Sequence, residues 1–142
     1  MSAILICVGK EFNTQMLNKC IKLASKEDAT VHLLHVDTTK KAKSYHNYRK
    51  FTQRIQNYDK LRISQVLQNA ILKLRNSGIK AKFHVATGPI ARKIAEKATD
   101  LKADMLVMGC RTNNAFHHLV HGSIPAEVMS QTDLPVMLMP VS

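Results

Sequence analysis

The 142-residue sequence has few cysteines, few acidic residues and no long apolar run. Its three cysteines are an odd number without paired spacing, which argues against a disulfide framework and is typical of a reducing compartment. No apolar stretch approaches the roughly 20 residues that span a bilayer, so no membrane segment is predicted. The sequence starts without a basic leader or a small-residue cleavage site, and we therefore expect no signal peptide and a cytoplasmic protein.

Acidic residues are outnumbered by basic ones, because 21 Lys and Arg accompany only 10 Asp and Glu, for a formal net charge of +11. Much of the excess lies in residues 40–62, where eight basic residues accompany one acid, Asp59. A basic surface attracts anionic partners at long range without specifying a fold. We expect the wider segment 38–62 to bind polyanions weakly and without sequence preference.

Aromatic residues alternate with the basic ones inside this segment, at Tyr45, Tyr48 and Phe51. Such interleaving is typical of surfaces that stack on single-stranded nucleic acid. A solvated loop that leads into an amphipathic helix has the same composition, and no recognised nucleic-acid module accompanies the cluster. Both interpretations stay open at the level of the sequence.

Short apolar runs alternate with helical patterns along the whole chain. Strands are predicted over residues 3–8, 31–36, 81–87, 104–109 and 135–140. The first is apolar throughout, as in parallel strands that are covered on both faces. Strands that alternate with helices predict a parallel sheet with helices on both faces, and the length suits one domain over residues 1–142.

Four helices connect these strands. Leu17, Cys20, Ile21 and Ala24 have the spacing of one buried helical stripe, and either Thr14 or Asn13 is expected to cap that helix. A second pattern runs from Ile63 to Leu74 and ends at Ser77-Gly78. Pro89 is predicted to open a third helix, whose buried face includes Ile90, Ile94, Ala98 and Leu101. The last helix is predicted from Ser123 to about Thr132.

Glycines lie where a sheet of this kind binds its ligands. Ligands bind outside the carboxyl ends of the strands, at the point where the strand order reverses. Gly9, Asp37 and Gly109 all fall at predicted strand ends. A glycine there lets the backbone approach a phosphate, and Ser123 could cap the last helix among free N–H groups. The same Gly122-Ser123 pair is also an ordinary turn and cap, since glycine loops are weak signals.

The spacing Gly109-x2-Thr112-x9-Gly122-Ser123 resembles the universal stress protein family. Nucleotide-binding members of that family carry Gly-x2-Gly-x9-Gly-Ser/Thr between the fourth strand and the last helix. The resemblance covers essentially the whole chain, because further segments follow in the family's order: AILICV, VHLLHV, GPIARKIAEKA, DMLVMG and GSIPAEVMSQTDLPVMLMP. It implies an α/β, Rossmann-like five-stranded parallel sheet, and a homodimer that forms through the last strand, whose apolar edge at 136–141 favours pairing.

Three departures from the family pattern indicate a weakened site. Thr112 occupies the position of the second glycine, and Gly9 stands where nucleotide-binding relatives carry an Asp. Pro125 removes one N–H from the first turn of the last helix. Gly109, the Gly122-Ser123 pair and their spacing are retained, and Arg111 offers a positive charge to a phosphate.

The resemblance therefore implies a crevice for ATP or another adenine nucleotide, with Mg²⁺ reaching it only through the nucleotide. The residues expected to form it are Val8, Gly9, Val36, Met108, Gly109, Arg111, Thr112, Gly122, Ser123 and Ile124. The expected function is a non-catalytic stress-response module. The alternatives are a slow ATP hydrolase, and a basic adaptor for nucleic acid or an acidic protein.

No catalytic or metal-binding set is predicted. His117, His118 and His121 have a spacing that can hold a metal, but they lie in a predicted loop, and we expect loop histidines over the crevice rather than a metal site. His32 and His35 are separated by an odd number of positions, so they are predicted to be packed or rim residues rather than a pair. Cys7 and Cys20 occupy apolar positions, and Cys110 lacks a neighbour that would activate it.

Overall fold

The computed structural model describes residues 2–9, 11–38, 62–111 and 124–141. Three of the predicted site residues, Thr112, Gly122 and Ser123, lie outside these ranges. So do nearly all of the basic segment 38–62 and the three histidines of the predicted loop, His117, His118 and His121.

Five strands alternate with four helices in the described residues. In chain order they are β1 (Ala3–Cys7), α1 (Thr14–Glu27), β2 (Thr30–Asp37), α2 (62–76), β3 (Ala81–Thr87), α3 (Ile90–Asp100), β4 (Met105–Arg111), α4 (Ile124–Gln131) and β5 (Val136–Val141). The strands form one sheet in the order β3-β2-β1-β4-β5, and every neighbouring pair is parallel. The predicted five-stranded parallel sheet is confirmed.

The strand order reverses at β1. From β1 the chain adds β2 and then β3 on one side, and afterwards returns to add β4 and β5 on the other side. Ile6 of β1 is therefore opposite both Leu33 of β2 and Val107 of β4. The carboxyl ends of β1 and β4 lie side by side at the reversal, which is where sheets of this kind bind ligands.

The core has two layers, one on each face of the sheet. On one face, α1 and α2 bury Met16, Leu17, Cys20, Ala24, Leu67, Ala70, Ile71 and Leu74 against Ile4, Ile6, Val31 and Leu33. On the other face, Ala91, Ile94 and Ala98 of α3 and Val128 of α4 cover Leu5, Leu34, Leu106 and Met108. Helices on both faces are thus confirmed, and no helix in the described ranges is long and apolar enough to cross a membrane.

At the helix ends, the structure selects one of the two predicted caps of α1 and corrects the predicted start of α3. Asn13 caps α1, since its Oδ1 accepts the Met16 N–H at 2.9 Å, whereas Thr14 is already helical and exposed. Pro89 lies just before α3 in an extended conformation, with φ −61° and ψ 127°, rather than in its first turn. As predicted, α2 ends at Ser77-Gly78, where Gly78 adopts a φ of 80°.

We expect Asn13→Ala to destabilise the protein by about 1 kcal/mol, because the Met16 N–H loses its acceptor at the start of α1. Thr14→Ala is the matched control, and it should cost nothing, because Thr14 does not cap and alanine is the better helix former. Urea unfolding of the two variants measures the difference. Equal losses of stability would contradict the assignment of the cap.

Candidate functional site

A tight turn carries the chain from the carboxyl end of β1 into α1. The Val8 N–H donates to Leu34 O at 2.7 Å, which keeps the chain against β2 for one residue beyond the strand. The Phe12 N–H then donates to Gly9 O at 3.2 Å and closes the turn. Because Asn13 caps α1 immediately afterwards, the N-terminus of that helix lies at the reversal of the strand order. Such a terminus favours anions.

The sequence predicted that β4 ends at Gly109, and this prediction is wrong. The strand continues to Arg111, and Gly109 is paired with Met139 of β5. The apolar pattern stops at Met108, but a ladder of backbone hydrogen bonds does not depend on apolar side chains, and β5 continues alongside as far as Val141. The end of the apolar run was therefore a poor marker for the end of the strand.

The β1–α1 turn lies directly against Gly109. A Cβ at this position would stand 2.9 Å from Glu11 Cβ, 3.2 Å from Met16 Sδ and 3.6 Å from Glu11 O. The first distance is shorter than side chains tolerate, so only glycine fits without a shift of the turn. The sequence suggested that this glycine makes room for a phosphate. In the structure it makes room for the protein's own β1–α1 turn.

Gly9 is under no such constraint. The nearest atom to a Cβ built there is Glu11 Oε2, at an ordinary contact distance of 3.9 Å. Gly9 is exposed, and its φ lies outside the positive range that favours glycine. A side chain at position 9 therefore fits the fold, and the absence of one leaves the end of β1 open.

Glu11 lies beside both Gly9 and Gly109 and is absent from the residues predicted for the site. Its Cβ lies 2.9 Å from the position that a Cβ would take at Gly109. Its Oε2 lies 3.9 Å from the position that a Cβ would take at Gly9. The carboxylate therefore lies beside Gly9, just after the end of β1, while the Cβ lies beside Gly109 of β4. The available signal was its place in the sequence, an acidic residue in the short turn between a strand end and a helix cap.

The predicted apolar residues of the site do not all meet at one surface. Met108 is buried in the layer beneath α3 and α4, and Val36 and Ile124 are half-buried against the same layer. Val8 belongs to the opposite layer, beneath α1 and α2. Arg111 is the last residue of β4. The structure thus brings Val36, Met108 and Ile124 together, and places Val8 on the other face of the sheet.

The strand histidines pack, as predicted, and do not form a joint site with each other. His35 is half-buried, and its Nδ1 donates to Val8 O at 2.8 Å, which ties β2 to the end of β1. His32 Nδ1 lies 3.0 Å from His84 Nε2 of β3, with the ring centroids 5.2 Å apart. Burial lowers the pKa of both His32 and His84, and the nearby Lys82 and Lys97 lower it further.

Neither of the two cysteines in apolar positions is set up for redox chemistry. Burial raises the pKa of the Cys7 and Cys20 thiols to about 12, so both stay protonated at neutral pH. Cys20 Sγ lies 3.7 Å from Met139 Sδ within the core. Among the residues that the structure describes, no group of three or more His, Cys, Asp or Glu side chains is placed to hold a metal ion.

The model of the universal stress protein family matches residues 1–140. The chain belongs to this family. It is 26% identical to Universal stress protein G of Shigella flexneri over 130 residues, which cover 89% of this chain and 91% of that protein. It is 24% identical to Universal stress protein YxiE of Bacillus subtilis over 136 residues, 92% of each chain.

Solved structures of the family share the fold. UspA of Lactobacillus plantarum matches with a TM-score of 0.77 at 16% identity, over 97% of both chains. A universal stress protein in complex with cAMP matches with a TM-score of 0.70 at 16% identity, over 99% of this chain and 98% of that one. A family protein of Arabidopsis thaliana with AMP bound gives 0.64 at 15% identity, over 100% and 93% of the two chains.

We expect Gly109→Ala to destabilise the fold by about 1–3 kcal/mol, the usual cost of overpacking, because its Cβ would meet Glu11 Cβ at 2.9 Å. Gly9→Ala, the matched control at the neighbouring strand end, should change stability by less than about 0.5 kcal/mol. Adding Glu11→Gly to Gly109→Ala removes the opposing Cβ and should restore part of the loss. Thermal unfolding of the three variants measures these effects, and similar losses for both alanine variants would refute this account of Gly109.

Proposed function

We propose that this chain is a non-catalytic stress-response protein that binds an adenine nucleotide weakly where the strand order reverses. The observation that carries the proposal is the juxtaposition of three features: the carboxyl ends of β1 and β4, the open backbone at Gly9 and the N-terminus of α1. Membership of the universal stress protein family supports it, as do the family structures that contain cAMP and AMP.

The proposed crevice offers different chemistry on its two sides. Val36 and Ile124 are half-buried and leave apolar surface for a base. The phosphates are assigned to the motif residues that follow β4, namely Thr112 and the Gly122-Ser123 pair, together with the charge of Arg111. Pro125 lies in the first turn of α4 and supplies no N–H there, so the anion site at this helix is incomplete.

Glu11 is a further reason to expect weak binding of phosphates. Its carboxylate lies beside Gly9, just after the end of β1, where the nucleotide is proposed to bind. A carboxylate repels the phosphates of ATP, whereas it accepts hydrogen bonds from the hydroxyls of a ribose. We therefore propose that the Glu11 carboxylate weakens the binding of ATP more than it weakens the binding of AMP or adenosine.

A non-catalytic role requires fewer positioned groups in this crevice than ATP hydrolysis does. Hydrolysis of ATP needs a positioned nucleophile and a metal held against the phosphates. The described turn beside Gly9 and Gly109 supplies one acid, Glu11, and Mg²⁺ would reach the crevice only with the nucleotide. Assaying phosphate release under the conditions of the binding experiment below tests the alternative of a slow ATP hydrolase.

We expect Glu11→Gln to tighten ATP binding about fivefold, since removing one charge near the phosphates is worth about 1 kcal/mol in a partly solvated site. Binding of adenosine, which carries no charge, should stay within about twofold under the same change. The matched control is Glu27→Gln, which removes the same charge at the exposed far end of α1. Calorimetric titration with Mg-ATP and with adenosine decides between these outcomes.

Two results of that titration would count against the proposal. If neither Mg-ATP nor adenosine gives a heat of binding at millimolar concentration in any of the proteins, the crevice does not bind adenine nucleotides. If Glu11→Gln and Glu27→Gln change ATP binding equally, the effect reports the net charge of the protein and not a carboxylate in the crevice.

We also propose that the chain forms a homodimer through β5. This strand is at one edge of the sheet and carries Met137, which is 36% exposed. Val136 and Leu138 are half-buried against the layer beneath α3 and α4, so Met137 is the most exposed of these three residues. Pro140 is compatible with an edge strand, although it shortens any ladder with a second chain because it lacks an N–H.

We expect Met137→Lys to convert the dimer into a monomer, because two copies would place like charges against each other across the paired strands. Leu72→Lys is the control: it makes the same kind of change at an exposed apolar residue of α2, on a different element. Sedimentation velocity at several protein concentrations measures the distribution. A wild type that sediments as a monomer throughout would rule out the dimer.

A further inference from the structure

The opposite edge of the sheet is formed by β3, and this edge is regular along its length. All seven residues, Ala81–Thr87, pair with β2 in continuous register, from Val31↔Ala81 to Asp37↔Thr87. The strand contains no proline, and the unbroken register leaves no bulge. Edge strands usually avoid this combination, because a long regular edge is a template for another strand.

Part of the backbone of β3 points away from the sheet. The Val31 N–H donates to Lys80 O at 2.8 Å, and in a parallel ladder alternate residues bond to the same neighbour. The backbone N–H and C=O groups of Lys82 and His84 therefore face β2, whereas those of Phe83 and Val85 face outward. Arg75 of α2 donates to Ala81 O at 3.0 Å, so one outward carbonyl is already satisfied by the protein itself.

Two large apolar side chains stand exposed on the same strand. Phe83 is 47% exposed and Val85 is 58% exposed. They alternate with Lys82 and His84, whose side chains are on the α3 side of the strand. An outward-facing backbone with exposed apolar side chains at alternate positions is the surface that binds an extended peptide by strand addition.

The chain segment that contains β3 carries charge of one sign. Residues 62–95, which build α2, β3 and the first half of α3, contain seven basic residues and no acidic one: Arg62, Lys73, Arg75, Lys80, Lys82, Arg92 and Lys93. Lys97 of α3 adds a further positive charge near this strand, because the charges of Lys82 and Lys97 both lower the pKa of His32 and of His84. The first acidic residue after this stretch, Glu96, is already paired with Arg92 and Lys93.

We infer that the β3 edge binds an extended acidic peptide segment of another protein, which adds a sixth strand to the sheet. The peptide's backbone pairs with Phe83 and Val85, its apolar residues contact their side chains, and its carboxylates face Lys80, Lys82 and Lys97. A second copy of this chain is disfavoured as the occupant, because two such edges would bring like charges together. A nucleic acid is disfavoured because stacking surfaces use several aromatic residues, and Phe83 is the exposed aromatic on this strand.

The test uses a fluorescein-labelled peptide as long as β3 in which Glu and Val alternate. Fluorescence anisotropy compares it with a peptide of alternating Lys and Val, and with the Glu–Val peptide N-methylated at every second residue, which removes the donors that strand pairing requires. We expect the Glu–Val peptide to bind, and each of the other two to bind at least about tenfold more weakly, the loss for about 1.4 kcal/mol of removed interactions.

Variants of the protein locate the peptide on β3. Val85→Pro removes an outward N–H without touching the ladder to β2, and edge strands accept proline. It should weaken binding about tenfold, whereas Val85→Thr, the matched control that keeps the N–H and the β-branched side chain, should stay within about twofold. Lys82→Glu should weaken binding at low salt by a similar factor. Thermal unfolding confirms that each variant is folded.

Three results would overturn the inference. One is equal binding of the N-methylated and unmodified peptides to the wild type, which would show attraction of charge without strand pairing. Another is binding of a labelled oligothymidylate in place of the peptide. The third is unchanged peptide binding by both Val85→Pro and Lys82→Glu. The peptide comparison uses the wild type alone, so it decides the matter even if Val85→Pro does not fold, and none of these results depends on whether nucleotide binds the crevice.

Discussion

β1 is hydrogen-bonded on both sides and covered on both faces, and the arrangement of the rest of the chain depends on it. Ile4, Leu5 and Ile6 are at most 1% exposed, with β2 on one side and β4 on the other. Because alternate side chains of the strand enter opposite layers, the same few residues anchor α1 and α2 on one face and α3 and α4 on the other. A central strand of this kind leaves only its ends available for function.

The carboxyl end of β1 shows how closely structural and functional demands overlap. The strand is followed by a tight turn that begins at the exposed Gly9 and packs against Gly109 of the neighbouring strand. The close contact holds Gly109 of β4 against the β1–α1 turn and against Met16 of α1, and the Glu11 carboxylate lies beside Gly9, where a nucleotide is proposed to bind. A glycine that suggests ligand binding in the sequence thus has a packing role that is independent of any ligand.

The two edges of the sheet differ in a way that bears on partners. β5 carries Pro140 and a partly exposed methionine, and little charge. β3 has no proline, two exposed apolar side chains and a surrounding surface that is basic. Basic residues on a sheet edge oppose pairing with an identical edge, and at the same time attract an acidic strand. Self-association through β5 and recruitment of a different chain through β3 are therefore compatible within one protein.

The sequence by itself determined the element order, the parallel sheet and both core layers, because the period of apolar residues differs between strands and helices and burial enforces that pattern. Gly9, which follows β1, and Gly109 of β4 do lie at neighbouring strands, and the nucleotide site predicted there stays a prediction. Only the tertiary structure decided that β4 passes Gly109, that Glu11 fills the space beside it, and that Phe83 and Val85 remain exposed at an edge. These features arise from contacts between residues far apart in the chain, and from the lateral order of the strands. Neither leaves a periodic trace in the local sequence, because a backbone ladder and a close approach of two segments act through space and not along the chain.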